Sequence, residues 1–237
     1  MVKHIPNLIT SLNLLCGGIA CIFMLEGHIL LASFLVVLGI FFDFFDGLAA
    51  RLLNVSSEIG LQLDSLADLV TSGLVPSLGV FYLISEFTTG YQSHQIQFYF
   101  PYVSFLILIG SAYRLAKFNV DDRQTSSFIG LPTPSNALLV LSLLLIIEYQ
   151  NHLVGHSFIA NSYFLMFFSV VSMWLLNMEV ALFGLKFKNF SVQENWYRYI
   201  ILILGIGLIS LFTYLGVFLT IIAYIILSLS IPQSSTK

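Results

Sequence analysis

Charge is scarce in this chain. Only 9% of its 237 residues are Asp, Glu, Lys or Arg, against roughly 25% in a soluble globular domain, and a water-soluble exterior is thereby excluded. The 9 basic residues form no stripe that would track a phosphate backbone, so nucleic acid is excluded as a partner. A P-loop, a Gly-rich dinucleotide fingerprint, internal repeats and low-complexity tracts are all missing. The two cysteines, Cys16 and Cys21, are five positions apart and fall on different sides of a helix, which argues against a local disulfide or a metal pair. His152 and His156 have a ligand-like spacing, but they share a short polar loop with no third ligand nearby.

What the chain has in abundance is apolar length, with 58% hydrophobic residues. Runs approaching the ~20 residues that a bilayer requires lie at about 8–26, 29–51, 61–85, 98–118, 136–150, 158–179, 199–213 and 215–231. They predict an all-α polytopic membrane bundle of about eight transmembrane helices, forming a single domain over 1–237. Basic residues test this count, because Lys and Arg favour cytoplasmic loops. With eight spans and both termini in the cytoplasm, Lys3, Arg51, Arg114, Lys117, Arg123, Lys186, Lys188, Arg198 and Lys237 all fall on the cytoplasmic side. The opposite loops, around Gly27, "EFTTGYQSHQ" and "NHLVGHS", contain none. Pro6, Asn7, Thr10 and Asn13 interrupt the first run, and Leu15 precedes Cys16 where a lipoprotein signal needs a small residue. The run is therefore expected to be retained rather than cleaved as a leader.

Four aspartates stand out against this background: Asp43 and Asp46 in "FFDFFDGLAARLL", then Asp64 and Asp68. A carboxylate inside a span costs roughly 2.5 kcal/mol or more, so it needs a partner or a watery cavity. At 100° per residue, Asp43, Asp46, Gly47, Ala50 and Arg51 share one arc of a helix, and Gly60, Asp64 and Asp68 share one arc of the next. A turn near "NVSSE" brings the two arcs face to face, with all four carboxylates roughly 6–14 Å in from the helix ends. Gly47, Ala50 and Gly60 take bulk away from the same faces, letting helices or a ligand approach. Four such charges cannot all stay ionised without cations, and hard divalent ions suit oxygen ligands, Mg²⁺ above all. Two ions balance the charge. Mg²⁺ held this way keeps positions open for substrate phosphates, so the cup predicts phosphoryl chemistry. Arg51 at its mouth is placed to hold an incoming anion. Asp68, deepest on the second helix, is the natural general base. A cation transporter is the reading from another class, and it leaves Arg51 and the glycines without a job.

The spacing D-x2-D-G-x2-A-R-x8-G-x3-D-x3-D resembles the signature of the CDP-alcohol phosphatidyltransferase family at every position. Members are membrane enzymes that displace CMP from a CDP-linked lipid with an alcohol. The resemblance implies that Asp43, Asp46, Asp64 and Asp68 bind two divalent cations, Mg²⁺ or Mn²⁺, and that Asp68 doubles as base. It implies that Gly47, Ala50, Arg51 and Gly60 serve the nucleotide diphosphate. The opening "IPNLITSLNLLCGG" is similar to the family's N-terminal segment, giving Asn7, Thr10 and Asn13 a share in nucleotide binding, with helix capping and interfacial hydrogen bonding as the competing use.

Residues 5 to 140, the expected catalytic core, are similar to the phosphatidylserine synthase branch, and 141–237 would add further spans. "YRLAKFN" and "FIGLPTPSNA" carry that similarity: Arg114, Lys117 and Asn119 open the segment, and Phe128, Gly130, Leu131, Pro132 and Pro134 close it. Arg114 and Lys117, three apart at the end of a span, are able to meet a serine carboxylate or the lipid diphosphate. Positive-inside anchoring competes for both, more for Lys117 than for the deeper Arg114. Pro132 and Pro134 either frame a pocket or simply break the helix. The reading implied is transfer of the phosphatidyl group from CDP-diacylglycerol to L-serine with release of CMP, with glycerol phosphate or inositol phosphate as alternative acceptors. Its expected setting is a bacterial or archaeal cell membrane, the active site facing the cytoplasm. Dimers are common in the family, though nothing in the sequence marks an interface.

Overall fold

The computed structural model describes residues 4–55, 57–88, 95–121, 127–150, 152, 159–184 and 191–231. Lys3, Arg123, His156, Lys186, Lys188 and Lys237, which figure in the reading above, lie outside them.

Tight helical hairpins build the first half. Helix α1 (Ile5–Leu25) ends where Gly27, at φ +81°, takes the left-handed conformation that glycine adopts without strain. The Gly27 N–H then donates to Met24 O and the His28 N–H to Phe23 O, the paired bonds of a Schellman motif. The chain reverses at once into α2 (Ile29–Leu52), which packs along α1. Its own end repeats the device with Asn54 in place of glycine (φ +50°), the Asn54 and Val55 N–H groups donating to Arg51 O and Ala50 O. Ser57 caps the next helix, α3 (Glu58–Asp68), its hydroxyl accepting from the Gly60 N–H at 2.9 Å.

The third span expected over 61–85 falls within one helical stretch, Glu58–Thr88, which is not α-helical throughout. Directly after Asp68 the helix widens into a π turn, Leu69–Leu74, and regains α geometry as α4 (Val75–Thr88). The Val75 N–H reaches back five residues to Val70 O. Pro76 explains part of this, since it has no N–H for the carbonyl four residues earlier. The Ser77 hydroxyl donates to Gly73 O at 2.7 Å.

A 3₁₀ segment, Gln95–Ser104, leads into α5 (Phe105–Val120). The second half holds α6 (Thr133–Tyr149), α7 (Ser162–Asn177), α8 (Val192–Phe212) and α9 (Tyr214–Ser230). Residues 139–147 of α6 are all buried, as fits a helix that is apolar all round and runs through the middle of a bundle. Helix α8 by contrast exposes Ile203, Ile206 and Leu211, which suits a lipid-facing position.

Two short strands add to the all-α fold. Strand β1 (Ser127–Ile129) pairs antiparallel with β2 (Ala181–Phe183). Gly130 follows at φ +77°, packed so closely on the Leu176 and Met178 carbonyls that a Cβ has no room. Its N–H donates to Val180 O and that of Leu131 to Leu175 O, both at 2.9 Å. The Gly-Leu-Pro segment therefore docks the start of α6 onto the end of α7. At the opposite end, Gln150 holds the α8–α9 turn: its Nε2 donates to Phe212 O at 3.0 Å and to the Thr213 hydroxyl, and its Oε1 accepts from the Leu215 N–H at 2.9 Å.

Five helical stretches are long and apolar enough to cross a bilayer: Ile5–Leu25, Ile29–Leu52, Glu58–Thr88, Gln97–Val120 and Val192–Phe212. Helices α6, α7 and α9 are apolar but shorter. The chain is an all-α integral membrane protein.

Candidate active site

The Schellman end of α2, the capped start of α3 and the first turns of α1 enclose a cavity of about 420 Å³, within the size range of small-molecule sites. Asn7 and Thr10 line it from α1, Asp46, Gly47 and Ala50 from α2, and Gly60 and Asp64 from α3. These seven were expected from sequence. The turn residues Asn54, Val55 and Ser57, which belong to the turn expected near "NVSSE", complete the wall with Pro6 and Leu61.

Carboxylate oxygens of Asp43, Asp46 and Asp64 lie within 4.8 Å of one another. Antiparallel α2 and α3 produce this convergence, since Asp46 and Asp64 are at similar distances from the turn. Asp46 is buried and accepts a hydrogen bond from the Thr10 hydroxyl at 2.5 Å, while that hydroxyl also lies 3.0 Å from Pro6 O. Asp64 Oδ1 is buried with no hydrogen-bond partner among the described residues. An orphaned carboxylate oxygen beside two further carboxylates is a donor set suited to a hard divalent cation, and the cluster is able to hold one.

Asp68 stands apart from this trio. It follows Asp64 by one helical turn, about 5–6 Å along the axis, and its Oδ1 accepts from Asn13 Nδ2 at 3.2 Å. Asp68 is buried, 8% exposed. Sequence spacing suggested four carboxylates converging at one depth; oxygens of three gather within 4.8 Å, and the fourth follows one helical turn deeper. Asn13 is likewise not in the cavity wall, its side chain being used on Asp68.

Arg51 is exposed and does not line the cavity. Its Nε donates to Gly47 O at 2.9 Å, an attachment to the last turn of its own helix. Gly47 itself faces open space, with nothing within 4 Å of where a Cβ would stand. Gly60 is different: a Cβ there would meet Ser57 Oγ at 2.9 Å and Asn7 Oδ1 at 3.0 Å. One glycine leaves room for a ligand and the other for a neighbouring helix.

The basic end of α5 divides three ways. Lys117 forms an ion pair with Glu179, both partly or fully exposed. Asn119 exchanges hydrogen bonds with Ser65, the neighbour of Asp64. Arg114 is 7% exposed, donates from Nη1 to the Thr133 hydroxyl at 3.3 Å, and leaves Nε buried with no hydrogen-bond partner among the described residues. Thr133 was not foreseen; it is presented by the docked Gly-Leu-Pro segment.

A protein 30% identical to the chain, over 98% of this chain and 95% of the relative, is the CDP-diacylglycerol--serine O-phosphatidyltransferase of Helicobacter pylori strain J99. The protein of that name from Bacillus subtilis is 37% identical over 60% of this chain and 76% of the relative. Its namesake from Saccharomyces cerevisiae is 38% identical over 59% of this chain and 53% of its own length. The family model for CDP-alcohol phosphatidyltransferases matches residues 3–183, a stretch containing the cavity, all four aspartates and Arg114, and the chain belongs to that family.

Proposed function

We propose that the protein transfers the phosphatidyl group of CDP-diacylglycerol to the hydroxyl of L-serine, forming phosphatidylserine and releasing CMP. The observation that carries this reading is the three-carboxylate cluster at the wall of a ligand-sized cavity, with buried Asp68 one helical turn beyond it. Near-identical chemistry is named for relatives that align along nearly the full chain.

Asp43, Asp46 and Asp64, with Asp68, are read as ligands for two divalent cations, Mg²⁺ or Mn²⁺, which when bound would neutralise the diphosphate of the lipid. Gly47 and Ala50 leave the wall low enough for that diphosphate to approach the α2 backbone, and Asn7 and Thr10 flank it from α1. Arg51, at the rim, adds positive charge for the arriving nucleotide. Asp68 has one oxygen committed to Asn13; the other is the group that takes the proton of the acceptor hydroxyl. The freed serine oxygen forms a bond to the phosphorus bearing diacylglycerol as the bond from that phosphorus to the CMP oxygen breaks. Arg114, with an unspent Nε, is the partner for the serine carboxylate. Lys117 and Asn119 frame that subsite through Glu179 and Ser65.

The eight apolar helices are read as eight crossings of one domain, with the cavity end, the β ribbon and both termini in the cytoplasm. Purified protein is to be incubated with CDP-diacylglycerol, Mg²⁺ or Mn²⁺, and labelled serine, glycerol phosphate or inositol phosphate in turn. Phosphatidylserine with stoichiometric CMP is expected. Reaction with another alcohol and none with serine overturns the acceptor assignment, and metal flux without CMP overturns the enzyme.

A further inference from the structure

We propose that Asn13 is a positioning residue for Asp68, locked in place by Thr71 of the π turn. This rests on the reading of Asp68 as the base. Asn13 is fully buried in α1, and its Nδ2 donates to Asp68 Oδ1 at 3.2 Å. A carboxylate only accepts, so the amide must present its NH₂ to it. That leaves Asn13 Oδ1 buried with no hydrogen-bond partner among the described residues, an arrangement that local stability alone does not favour.

Three contacts fix the α1 backbone at Asn13 and close the space around its amide. The Thr71 hydroxyl donates to the Asn13 backbone carbonyl at 3.2 Å. Gly39 of α2 faces the amide so closely that a Cβ would come within 2.7 Å of Asn13 Oδ1 and of Thr71 Cγ2. Gly17, one turn along α1, lets Thr71 pack onto the α1 backbone. Thr71 is itself fully buried within the widened turn that starts one residue after Asp68, and such turns recur at functional sites. Asn13, Gly39 and Thr71 thus form a clamp with a single outward function: it fixes one oxygen of Asp68 and leaves the other for the acceptor proton.

The test measures kcat, KM for CDP-diacylglycerol and melting temperature for the full-length protein in detergent. Asn13→Asp conserves shape but replaces the donor by a second carboxylate. Asn13→Ala deletes the amide. Thr71→Val removes one hydroxyl at constant shape. Displacing a catalytic group by about 1 Å costs roughly 100-fold, so Asn13→Asp should lose about that much in kcat, with KM for the lipid unchanged. Asn13→Ala should lose less than Asn13→Asp. Thr71→Val should lower kcat several-fold at constant KM. A packing role predicts the reverse order, with Asn13→Ala the worse, and that order overturns the proposal. A raised KM with kcat preserved also overturns it, by making Asn13 a nucleotide contact. Should the Asn13 variants fail to fold, an unchanged kcat in Thr71→Val overturns the clamp. Asp68→Asn separates the two levels: if it is inactive while the Asn13 variants turn over normally, the base stands and the clamp falls; if it retains turnover, both fall.

Discussion

Replacing Gly47 by alanine separates the needs of the fold from those of the ligand. A Cβ at this position meets no atom within 4 Å, so the substitution introduces no clash. Alanine is favoured over glycine inside a helix by about 1 kcal/mol, and Gly47 lies within α2 (Ile29–Leu52), so the melting temperature should hold or rise. The added methyl group projects into the cavity, against the backbone that the lipid diphosphate must approach. Holding the diphosphate about 1 Å from its reactive position costs roughly 100-fold, equivalent to about 2.7 kcal/mol of barrier. CMP release from CDP-diacylglycerol and serine in mixed micelles, read beside a thermal unfolding curve, measures both quantities. The expected result is a protein at least as stable as the parent and about two orders of magnitude slower. Gly60→Ala is the contrast, since its Cβ meets Ser57 Oγ at 2.9 Å and Asn7 Oδ1 at 3.0 Å, and it should lose stability together with activity. Undiminished turnover in Gly47→Ala refutes the placement of the substrate against α2.

Arg114→Gln should raise KM for serine by about 10- to 100-fold, the loss of one charge-assisted hydrogen bond of roughly 1.5–3 kcal/mol, while CDP-diacylglycerol binding is retained; an unchanged KM for serine removes Arg114 from the acceptor subsite. Lys117→Ala, which breaks only the exposed pair with Glu179, should change stability by less than about 1 kcal/mol in thermal unfolding. Gln150→Ala frees the Thr213 turn, where φ is +49°, and should lower the melting temperature through the loss of about 1 kcal/mol per hydrogen bond, with kcat unaffected.

Much of this molecule is legible in its sequence because the membrane simplifies the code. Apolar runs become helices, and carboxylates among them must share a site, so Asp43, Asp46 and Asp64 were placed by helical arithmetic alone. The same arithmetic fails where a helix departs from α geometry or where a partner is distant in the chain. The π turn after Asp68 carries no periodic signal, and Thr71 reads as an ordinary membrane threonine. Asn13 lies 55 positions from Asp68, Lys117 lies 62 from Glu179, and no local pattern announces either pair. Arg51 illustrates another limit: its arc on α2 was right, but a long exposed side chain bends back to the Gly47 carbonyl. Gly130 was visible as part of a Gly-Leu-Pro motif, yet its reason, the approach of the Leu176 carbonyl, appears only once α6 and α7 are docked.

The central claim is that carboxylates survive among apolar helices here because divalent cations sit between them and grip a nucleotide-linked lipid. Anomalous diffraction from crystals soaked in Mn²⁺ and a non-reactive CDP-diacylglycerol analogue tests it most directly. Manganese peaks bounded by Asp43, Asp46 and Asp64 and touching the diphosphate are predicted, and should vanish in Asp64→Asn. A well-ordered analogue in the cavity with no manganese at those carboxylates contradicts the account.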